Sequence, residues 1–319
     1  MESALTPLTT NWHILGSSVV GTSHRKSGRG CDDAHAYKQL ENGVLLLAVA
    51  DGAGSATRSA LGAVCAVQAA LQAATYILEH QGEPENEERW RTVLTTVLEV
   101  VHFVLERLSL GEIHADSSVA NDTSIHQTEF EDGQPQHILC RAVWHDISTY
   151  LTTTASSTLT EYVLEELASQ KRHIQPLREF ATTLLFTIVT SQWVAGFQIG
   201  DGAVVTRAVD GTLHPLTWPD HGEYVNETNF VTHPRYLRHA QYTSVSAQGI
   251  QGIALFTDGI EMLALDLANR AAYQPFFEPL FKFATMPEAT EMELTTFLES
   301  ERVCNRTDDD KTLVLAVCT

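Results

Sequence analysis

A short continuous run of apolar residues, VLLLAVA at 44–50, restricts the fold of this chain more than any other feature. A run of this length, rich in branched side chains and followed directly by a turn signal, is typical of a strand. Because it has no polar alternation, we predict that both faces of the strand are buried. The run ends abruptly in Asp51-Gly52, which places a carboxylate at a strand end inside nearly apolar surroundings.

Further patterns extend this prediction along the chain. Apolar residues recur every three or four positions at 61–78 and 90–108, which predicts two amphipathic helices packed on a core. Strands are predicted at 12–21, 34–40, 183–190, 193–199, 203–209, 253–257 and 312–317, and helical patterns at 143–170, 260–268 and 288–300. The segment 22–32 is polar and glycine-rich and predicts a loop, and Asp210-Gly211 predicts a hairpin turn.

The patterns contain no linker that would divide the chain, so we predict a single domain over 1–319. Two irregular segments interrupt it. One is a polar surface excursion at about 111–136, and the other is an aperiodic stretch at about 219–245 that contains several aromatic residues and histidines.

The charge balance argues against two classes of partner. The chain has 40 acidic and 20 basic residues, a net charge of -20. Nucleic-acid binders need a basic footprint to meet phosphates, and proteins that dock on anionic membranes need basic clusters. We therefore expect neither a nucleic acid nor a membrane as partner. An acidic protein that handles phosphate must offset its own field locally, and bound cations do so.

The cysteines and the amino terminus bear on location. The five cysteines are scattered, with no CxxC spacing, which favours reduced thiols over a zinc site or a disulfide framework. The first residues have no basic stretch followed by an apolar run, and no segment approaches the unbroken apolar length of a membrane span. We expect a cytoplasmic protein.

The placement of the acidic residues is the most informative pattern for function. Five acidic positions that are distant in sequence lie at predicted strand ends: Asp51 after 44–50, Asp201 after 193–199, Asp258 after 253–257, Asp32-Asp33 before 34–40, and Asp308-Asp309-Asp310 before the last strand. Each of these alone is typical of a turn. If the strand ends converge, however, the carboxylates crowd together, and such a cluster is costly unless protons or cations neutralise it.

Hard divalent cations are the natural solution for such a cluster. Mg²⁺ or Mn²⁺ fits better than zinc, because no histidine or cysteine cluster accompanies the carboxylates. Glycine after the aspartate leaves a main-chain carbonyl accessible as a further ligand. Two ions a few ångströms apart would bind a phosphoryl group, screen its charge and lower the pKa of a bridging water. The pattern therefore indicates a phosphoester hydrolase.

Six motifs carry a resemblance to a known family. In order they are CDDA (31–34), ADGAGSA (50–56), ATTLLF (181–186), IGDG (199–202), FTDGI (256–260) and DDDKTLVLAV (308–317). This series resembles the metal-dependent serine/threonine protein phosphatases of type 2C, in particular their compact bacterial branch. The resemblance implies an α+β fold, a four-layer αββα sandwich of two antiparallel sheets packed face to face with helices on both outer faces. The segment at 219–245 would then be the flap beside the cleft.

The resemblance also implies roles for the matching residues. Asp51 would bridge two metals, with the Gly52 carbonyl on one of them, and both Asp51 and Asp258 would act in catalysis through the water that the metals activate. The full implied metal set is Asp33, Asp51, Gly52, Asp201, Asp258 and Asp309, with Asp201 on a weaker third ion that many bacterial members hold. The cofactors would be two or three Mn²⁺ or Mg²⁺ ions. The partner would be a phosphorylated protein, and the enzyme would oppose a Ser/Thr kinase.

Two departures from the family pattern concern the substrate. The family usually has a phosphate-gripping arginine five residues before the first motif aspartate, where this chain has Gly28. Arg29 and Arg25 are the nearby candidates. Many eukaryotic members have a histidine after the second motif's Asp-Gly, where this chain has Ala53.

Two further functions stay open from the sequence. One is a binding or regulatory module that keeps the fold and has lost turnover, and the other is a phosphatase of small phosphoesters.

Overall fold

The computed structural model describes residues 11–112, 135–151, 160–170, 173–220 and 228–318. Most of the predicted excursion at 111–136, namely 113–134, lies outside the described residues. The same holds for residues 221–227 of the predicted flap segment at 219–245.

Strands and helices follow in this order along the described chain. The strands are β1 (Trp12–Val19), β2 (Ala34–Gln39), β3 (Leu45–Ala50), β4 (Leu184–Val189), β5 (Trp193–Ile199), β6 (Ala203–Ala208), β7 (Leu213–Pro215), β8 (Gln241–Ser246), β9 (Ile250–Phe256), β10 (Leu265–Asp266), β11 (Ala271–Ala272) and β12 (Lys311–Cys318). The helices are α1 (Thr22–Ser27), α2 (Ser59–Gln81), α3 (Glu87–Ser109), α4 (Pro135–Thr149), α5 (Glu161–Gln170), α6 (Tyr236–His239), α7 (Glu261–Ala264), α8 (Gln274–Ala284), α9 (Glu291–Leu298) and α10 (Glu301–Cys304). Short 3-10 turns lie at Leu177–Phe180 and Asp258–Ile260.

The strands form two five-stranded antiparallel sheets. The first sheet has the order β1-β12-β9-β6-β7, and the second has the order β2-β3-β4-β5-β8. β10 and β11 pair separately as a small ribbon. Connections between the sheets are frequent, since β1 passes to β2, β5 to β6 and β8 to β9. Strand ends of both sheets can therefore meet.

Strand β3 shows why the sheets stack. Its residues alternate between two buried environments, as the continuous apolar run predicts. Leu45 and Leu47 pack in the core between the sheets together with Leu255 and Val314 of the first sheet. Leu46 and its alternate neighbours pack instead against helices on the outer face of the second sheet. The predicted strand with two buried faces is confirmed.

Helices cover both outer faces of the sheets. α2, α3, α4 and α5 belong to the cluster over the second sheet, and α8 and α9 belong to the cluster over the first. This confirms the four-layer αββα arrangement. Within the described ranges, α2 alone has the length and composition to cross a membrane, and 78% of its most apolar 18-residue window is buried in the protein, as in a core helix.

The structure differs from the sequence patterns in several places. The predicted loop at 22–32 contains α1, a short helix with no buried residue that ends where Gly28 adopts a left-handed φ of 72°. Such a helix has no apolar period to reveal it. The predicted helix at 260–268 stops at Leu265, because the backbone extends there to pair with Ala272.

Several elements of the described chain had no prediction, and helix α8 and strand β8 are the longest of these that lie in the sandwich. Helix α8 was missed because its two prolines interrupt the pattern, although Phe277, Leu280, Phe281 and Ala284 are buried at helical spacing. Strand β8 lies in the segment predicted to be irregular, and it forms the edge of the second sheet beside β5. Its half-exposed, polar sequence carries little strand signal.

Candidate metal centre

The predicted aspartates meet at one end of the sandwich, and strand register explains how. In the second sheet Ala34 pairs with Ala50, so the residues just outside this pair, Asp33 and Asp51, are neighbours. In the first sheet Phe256 pairs with both Leu313 and Ala203. Beyond these pairs, Asp258 follows β9, Asp309 precedes β12 and Asp201 precedes β6, so the three aspartates lie at the same end of adjacent strands.

Three of these aspartates have carboxylate oxygens in direct reach of one ion. One oxygen each from Asp51, Asp201 and Asp258 lies within 4.8 Å of the other two. Asp201 is buried, whereas Asp51 and Asp258 keep part of their surface exposed. As a set, the three carboxylates are therefore partly exposed to solvent, as a site that receives a ligand must be.

Burial and mutual repulsion disturb the acidity of the cluster. Burial raises the pKa of Asp51 well above its usual range, and the charges of Asp33, Asp258, Asp201 and Asp309 raise it further. The pKa of Asp258 is raised to about 7, first by burial and then by Asp201 and Asp309. These interactions bring Asp33 and Asp309 into the same cluster as the other three. The arrangement favours protons or cations at these positions.

Asp33 provides a specific test of whether a cation fits. Its Oδ2 accepts a hydrogen bond from Thr257 Oγ1 at 2.8 Å. Its Oδ1 is buried and has no hydrogen-bond partner in the described parts of the chain. Burial raises the pKa of Asp33 well above its usual range, followed by repulsion from Asp310. A buried carboxylate oxygen without a donor is costly, and a divalent cation would satisfy it. The residues present therefore fit a hard divalent ion.

Two threonines hold Asp51 in place through its main chain. Thr183 Oγ1 accepts from the Asp51 amide at 2.9 Å, and the Thr183 amide donates to the Asp51 carbonyl at 2.8 Å. Thr182 Oγ1 donates to the same carbonyl at 2.9 Å. These contacts give Thr182 and Thr183 of the ATTLLF motif a structural role, and they leave the Asp51 carboxylate to the cluster.

Gly52 is required by close packing. A Cβ at this position would lie 2.6 Å from the Asp32 carbonyl oxygen and 2.8 Å from Ser59 Cβ. The Gly52 amide donates to that same Asp32 carbonyl at 3.2 Å. The Asp-Gly pair is thus a contact between two strand ends as well as a turn.

The two arginine candidates for phosphate are both engaged. Arg29 forms an ion pair with Asp32 at 2.6 Å and donates to the main-chain carbonyls of Gly54 at 2.6 Å and Ala56 at 2.9 Å. It also donates to Tyr162 Oη at 3.2 Å. Arg25 pairs with Glu299 at 2.9 Å, and the side chains of this pair are 57% and 45% exposed. Arg29 is thus partly buried and held by several partners, whereas Arg25 is exposed to solvent.

A second group of polar residues lies beside the cluster, and the sequence patterns did not reveal it. It consists of His24, Arg29, Asp32 and Asp310, and we call it the paired network. Asp310 accepts from the amides of Gly21 and Asp32, each at 2.6 Å, and meets His24 Nδ1 at 3.0 Å. The doublet Asp32-Asp33 and the triplet at 308–310 were the available signal, because adjacent residues of an extended chain point to opposite sides.

A large cavity in the described part of the chain lies away from these aspartates. It has a volume of about 720 Å³ and is lined mainly by apolar residues of α7, α8 and α9 on the outer face of the first sheet. None of the clustered aspartates lines it. The chemistry therefore identifies the carboxylate cluster, and not this cavity, as the candidate site.

Comparison with known proteins points to one family. The family model described as Protein phosphatase 2C matches residues 20–299. The chain is 28% identical over 318 residues to Serine/threonine-protein phosphatase 3 of Escherichia coli (strain K12), covering 96% of this chain and 98% of that protein.

Solved structures share the fold. A bacterial serine phosphatase matches with a TM-score of 0.53 at 12% identity, covering 97% of this chain and 98% of that chain. A serine/threonine phosphatase from Staphylococcus aureus matches with a TM-score of 0.53 at 12% identity, covering 100% of both chains.

Two stacked antiparallel sheets between helical layers are the fold that this chain shares with bacterial serine and serine/threonine phosphatases. The chain belongs to the protein phosphatase 2C family, a family of protein-serine/threonine phosphatases.

Proposed function

We propose that this protein hydrolyses phosphoserine and phosphothreonine in other proteins, and that it needs Mn²⁺ or Mg²⁺ to do so. The observation that carries the proposal is the convergence of Asp51, Asp201 and Asp258 within 4.8 Å, in a cluster whose carboxylates repel one another. Two bound divalent ions would neutralise this charge, orient the phosphoryl group and make a water nucleophilic at neutral pH.

The chain's own residues have distinct parts in this proposal. Asp51 and the Gly52 carbonyl, with Asp33, Asp258 and Asp309, would hold the two ions. Asp201 would hold a third. Thr182 and Thr183 fix the main chain at Asp51, and Thr257 orients Asp33, so the ligand oxygens do not have to be ordered when the ions bind.

For the substrate phosphate we favour Arg25 over Arg29. The ion pair of Arg25 with Glu299 is exposed, so little is lost when the guanidinium turns to a phosphate. Helix α1, which carries Arg25, is anchored close to the cluster, since Ser23 Oγ donates to the Asp308 carbonyl at 2.7 Å. Arg29 would have to leave a buried carboxylate and two main-chain carbonyls.

The proposed partner is a phosphorylated protein, and the enzyme would oppose a Ser/Thr kinase in signalling. The net charge of -20 supports a protein partner over nucleic acid or an anionic membrane. We also propose a cytoplasmic location, which is supported by the scattered cysteines, all five of which are free.

The test is turnover of phosphoserine and phosphothreonine peptides with MnCl₂, for the wild type and for Asp51→Asn and Asp258→Asn. We expect each substitution to lower kcat by about 10³-fold or more, because an ion ligand is lost. Asp308→Asn, at an exposed position beside the cluster, is the matched control and should keep wild-type turnover.

Three outcomes would contradict the proposal. Full activity in either variant would exclude an ion held by that residue. Manganese binding without turnover of any phosphopeptide would favour a binding module. Faster turnover of nucleotides or sugar phosphates than of phosphopeptides would indicate a small-molecule phosphatase.

A further inference from the structure

Asp310 makes an unusual set of contacts for a residue next to a proposed metal ligand. Its carboxylate is almost fully buried, with a side-chain exposure of 2%. Oδ1 accepts from the Gly21 amide at 2.6 Å, and Oδ2 accepts from the Asp32 amide at 2.6 Å. His24 Nδ1 lies 3.0 Å from Oδ2. Bonds of this length to a charged acceptor are among the stronger ones in proteins.

These contacts join the two sheets at the end where the aspartates gather. Gly21 follows β1 and Asp310 precedes β12, both in the first sheet, whereas Asp32 lies just before β2 in the second sheet. One carboxylate thus fixes the spacing between the segment that carries Asp309 and the segment that carries Asp33.

Asp32 extends the connection to the segment that carries Asp51. Its carbonyl accepts from the Gly52 amide at 3.2 Å, and its carboxylate pairs with Arg29 at 2.6 Å. Arg29 in turn holds the Gly54 carbonyl at 2.6 Å. Three of the chain segments that carry proposed ligands are therefore tied together by the paired network.

We infer that Asp310 is a positioning residue for the ion site: it holds Asp33, Asp309 and, through Asp32, Asp51 at ligand spacing without binding an ion itself. The inference rests on the proposed function of the carboxylate cluster. The physical need is clear, because crowded carboxylates push one another apart when no ion is bound. An anchored main chain resists this expansion, and the ions then find the ligands already in place.

A separate ion site at the paired network is the competing explanation. Ligand atoms of His24, Asp32 and Asp310 do lie within 4.8 Å of one another. However, His24 Nδ1 is paired with Asp310, Asp310 also accepts two amides, and Asp32 is paired with the Arg29 guanidinium. Because each of these groups already has a hydrogen-bond or ion-pair partner within the network, a cation there would have to displace Arg29 from Asp32.

The test is a calorimetric titration of the full chain with MnCl₂ in the absence of substrate, combined with turnover of a phosphopeptide. Asp310→Asn keeps the shape of the side chain but turns one acceptor into a donor that faces an amide. We expect the Kd for Mn²⁺ to rise about 10- to 100-fold with an unchanged number of ions. At saturating Mn²⁺, kcat should return to near the wild-type value. Asp308→Asn is the control and should keep the wild-type Kd.

The outcomes separate this inference from the proposed function. If the wild type binds no Mn²⁺, the proposed function itself fails. If the wild type binds and Asp310→Asn leaves Kd unchanged, only the inference is overturned, and a loss of one ion from the stoichiometry would make Asp310 a ligand and overturn it as well. A purely structural role would lower Tm and leave the Kd of the folded protein unchanged.

A milder variant covers the case in which Asp310→Asn does not fold. His24→Ala removes one of the three contacts of Asp310 from a side chain that is 17% exposed. We expect a rise of a few fold in Kd for Mn²⁺, and an unchanged Kd would overturn the inference.

Discussion

Two neighbouring groups of aspartates in this protein have opposite surroundings. In the carboxylate cluster, burial and then repulsion from neighbouring carboxylates raise the pKa of Asp33, Asp51 and Asp258. In the paired network, Asp32 and Asp310 meet a guanidinium, an imidazole and main-chain amides. Burial raises the pKa of Asp32 to about 6, but there the Arg29 charge opposes the shift. The two groups even share doublets, since Asp32 is adjacent to Asp33, and Asp310 is adjacent to Asp309. Aspartate carboxylates therefore have positive or amide partners from the protein in the paired network, whereas those of the carboxylate cluster repel one another and are available to an ion.

This difference has consequences for stability. Charge that the protein compensates stabilises the fold, and removing one partner leaves the other buried alone. Charge that the protein does not compensate destabilises the ion-free fold and is retained for function. The following predictions test the comparison, from the largest expected effect on stability to the smallest.

Replacing Arg29 should have the largest effect on stability. Arg29→Ala leaves the Asp32 carboxylate, whose side chain is 1% exposed, without its partner. We expect a loss of about 3 kcal/mol or more in the free energy of unfolding, measured by urea denaturation. Arg25→Ala is the matched control, because its pair is exposed, and its loss should stay within about 0.5 kcal/mol. Equal losses in both variants would show that Arg29 is not a structural partner.

Comparing the Arg29 and Arg25 variants also separates effects on stability from effects on substrate binding. If Arg25 contacts the phosphate, Arg25→Ala should raise KM for a phosphopeptide while Tm stays unchanged. An unchanged KM would remove Arg25 as the candidate.

Divalent ions should stabilise the carboxylate cluster. MnCl₂ at a hundredfold excess over Kd should add about 2.7 kcal/mol to the wild-type stability. Thermal melts with and without a chelator measure this. Asp51→Asn should lose most of the gain, because the bridging ligand is absent, whereas Asp308→Asn should keep it. A full gain in Asp51→Asn would place the ions elsewhere.

Without bound ions, replacing aspartate by asparagine should raise the stability of the protein in the carboxylate cluster and lower it in the paired network. The pKa of Asp258 in the folded protein is about 7, raised by burial and by Asp201, so the folded state binds more protons than the unfolded state between pH 4 and 7. Stability from this group is therefore present at low pH and is lost as pH rises through about 7.

Asp258→Asn removes the ionisable carboxyl and with it this loss of stability at high pH. We expect it to stabilise the chelator-treated protein at pH 8 by roughly 1–2 kcal/mol and to leave it little changed near pH 4. Asp310→Asn should destabilise the protein at pH 8 by about 1–3 kcal/mol, because two buried amides lose a charged acceptor. Urea denaturation at both pH values measures the difference. Effects of the same sign would show that the two groups are not distinct.

The sequence by itself determined the central strands and the chemistry at their ends. The apolar runs and the aspartates that follow them are local patterns, so β3 and β9 and the acidic ends Asp51 and Asp258 could be read directly. The helical periods of α2 and α3 were equally clear. The order of six motifs indicated the family and, with it, the fold, which the structure confirms.

Only the tertiary structure decided how the charges are distributed. Helix α1 has no apolar period, and its place is set by contacts of Ser23 and His24 with residues near the end of the chain. Whether Arg29 would face a phosphate or Asp32 depends on the packing of segments far apart in sequence. Local patterns fix which residues stand at a strand end. The register and stacking of two sheets then decide which carboxylate of each doublet meets a positive partner and which is left for an ion.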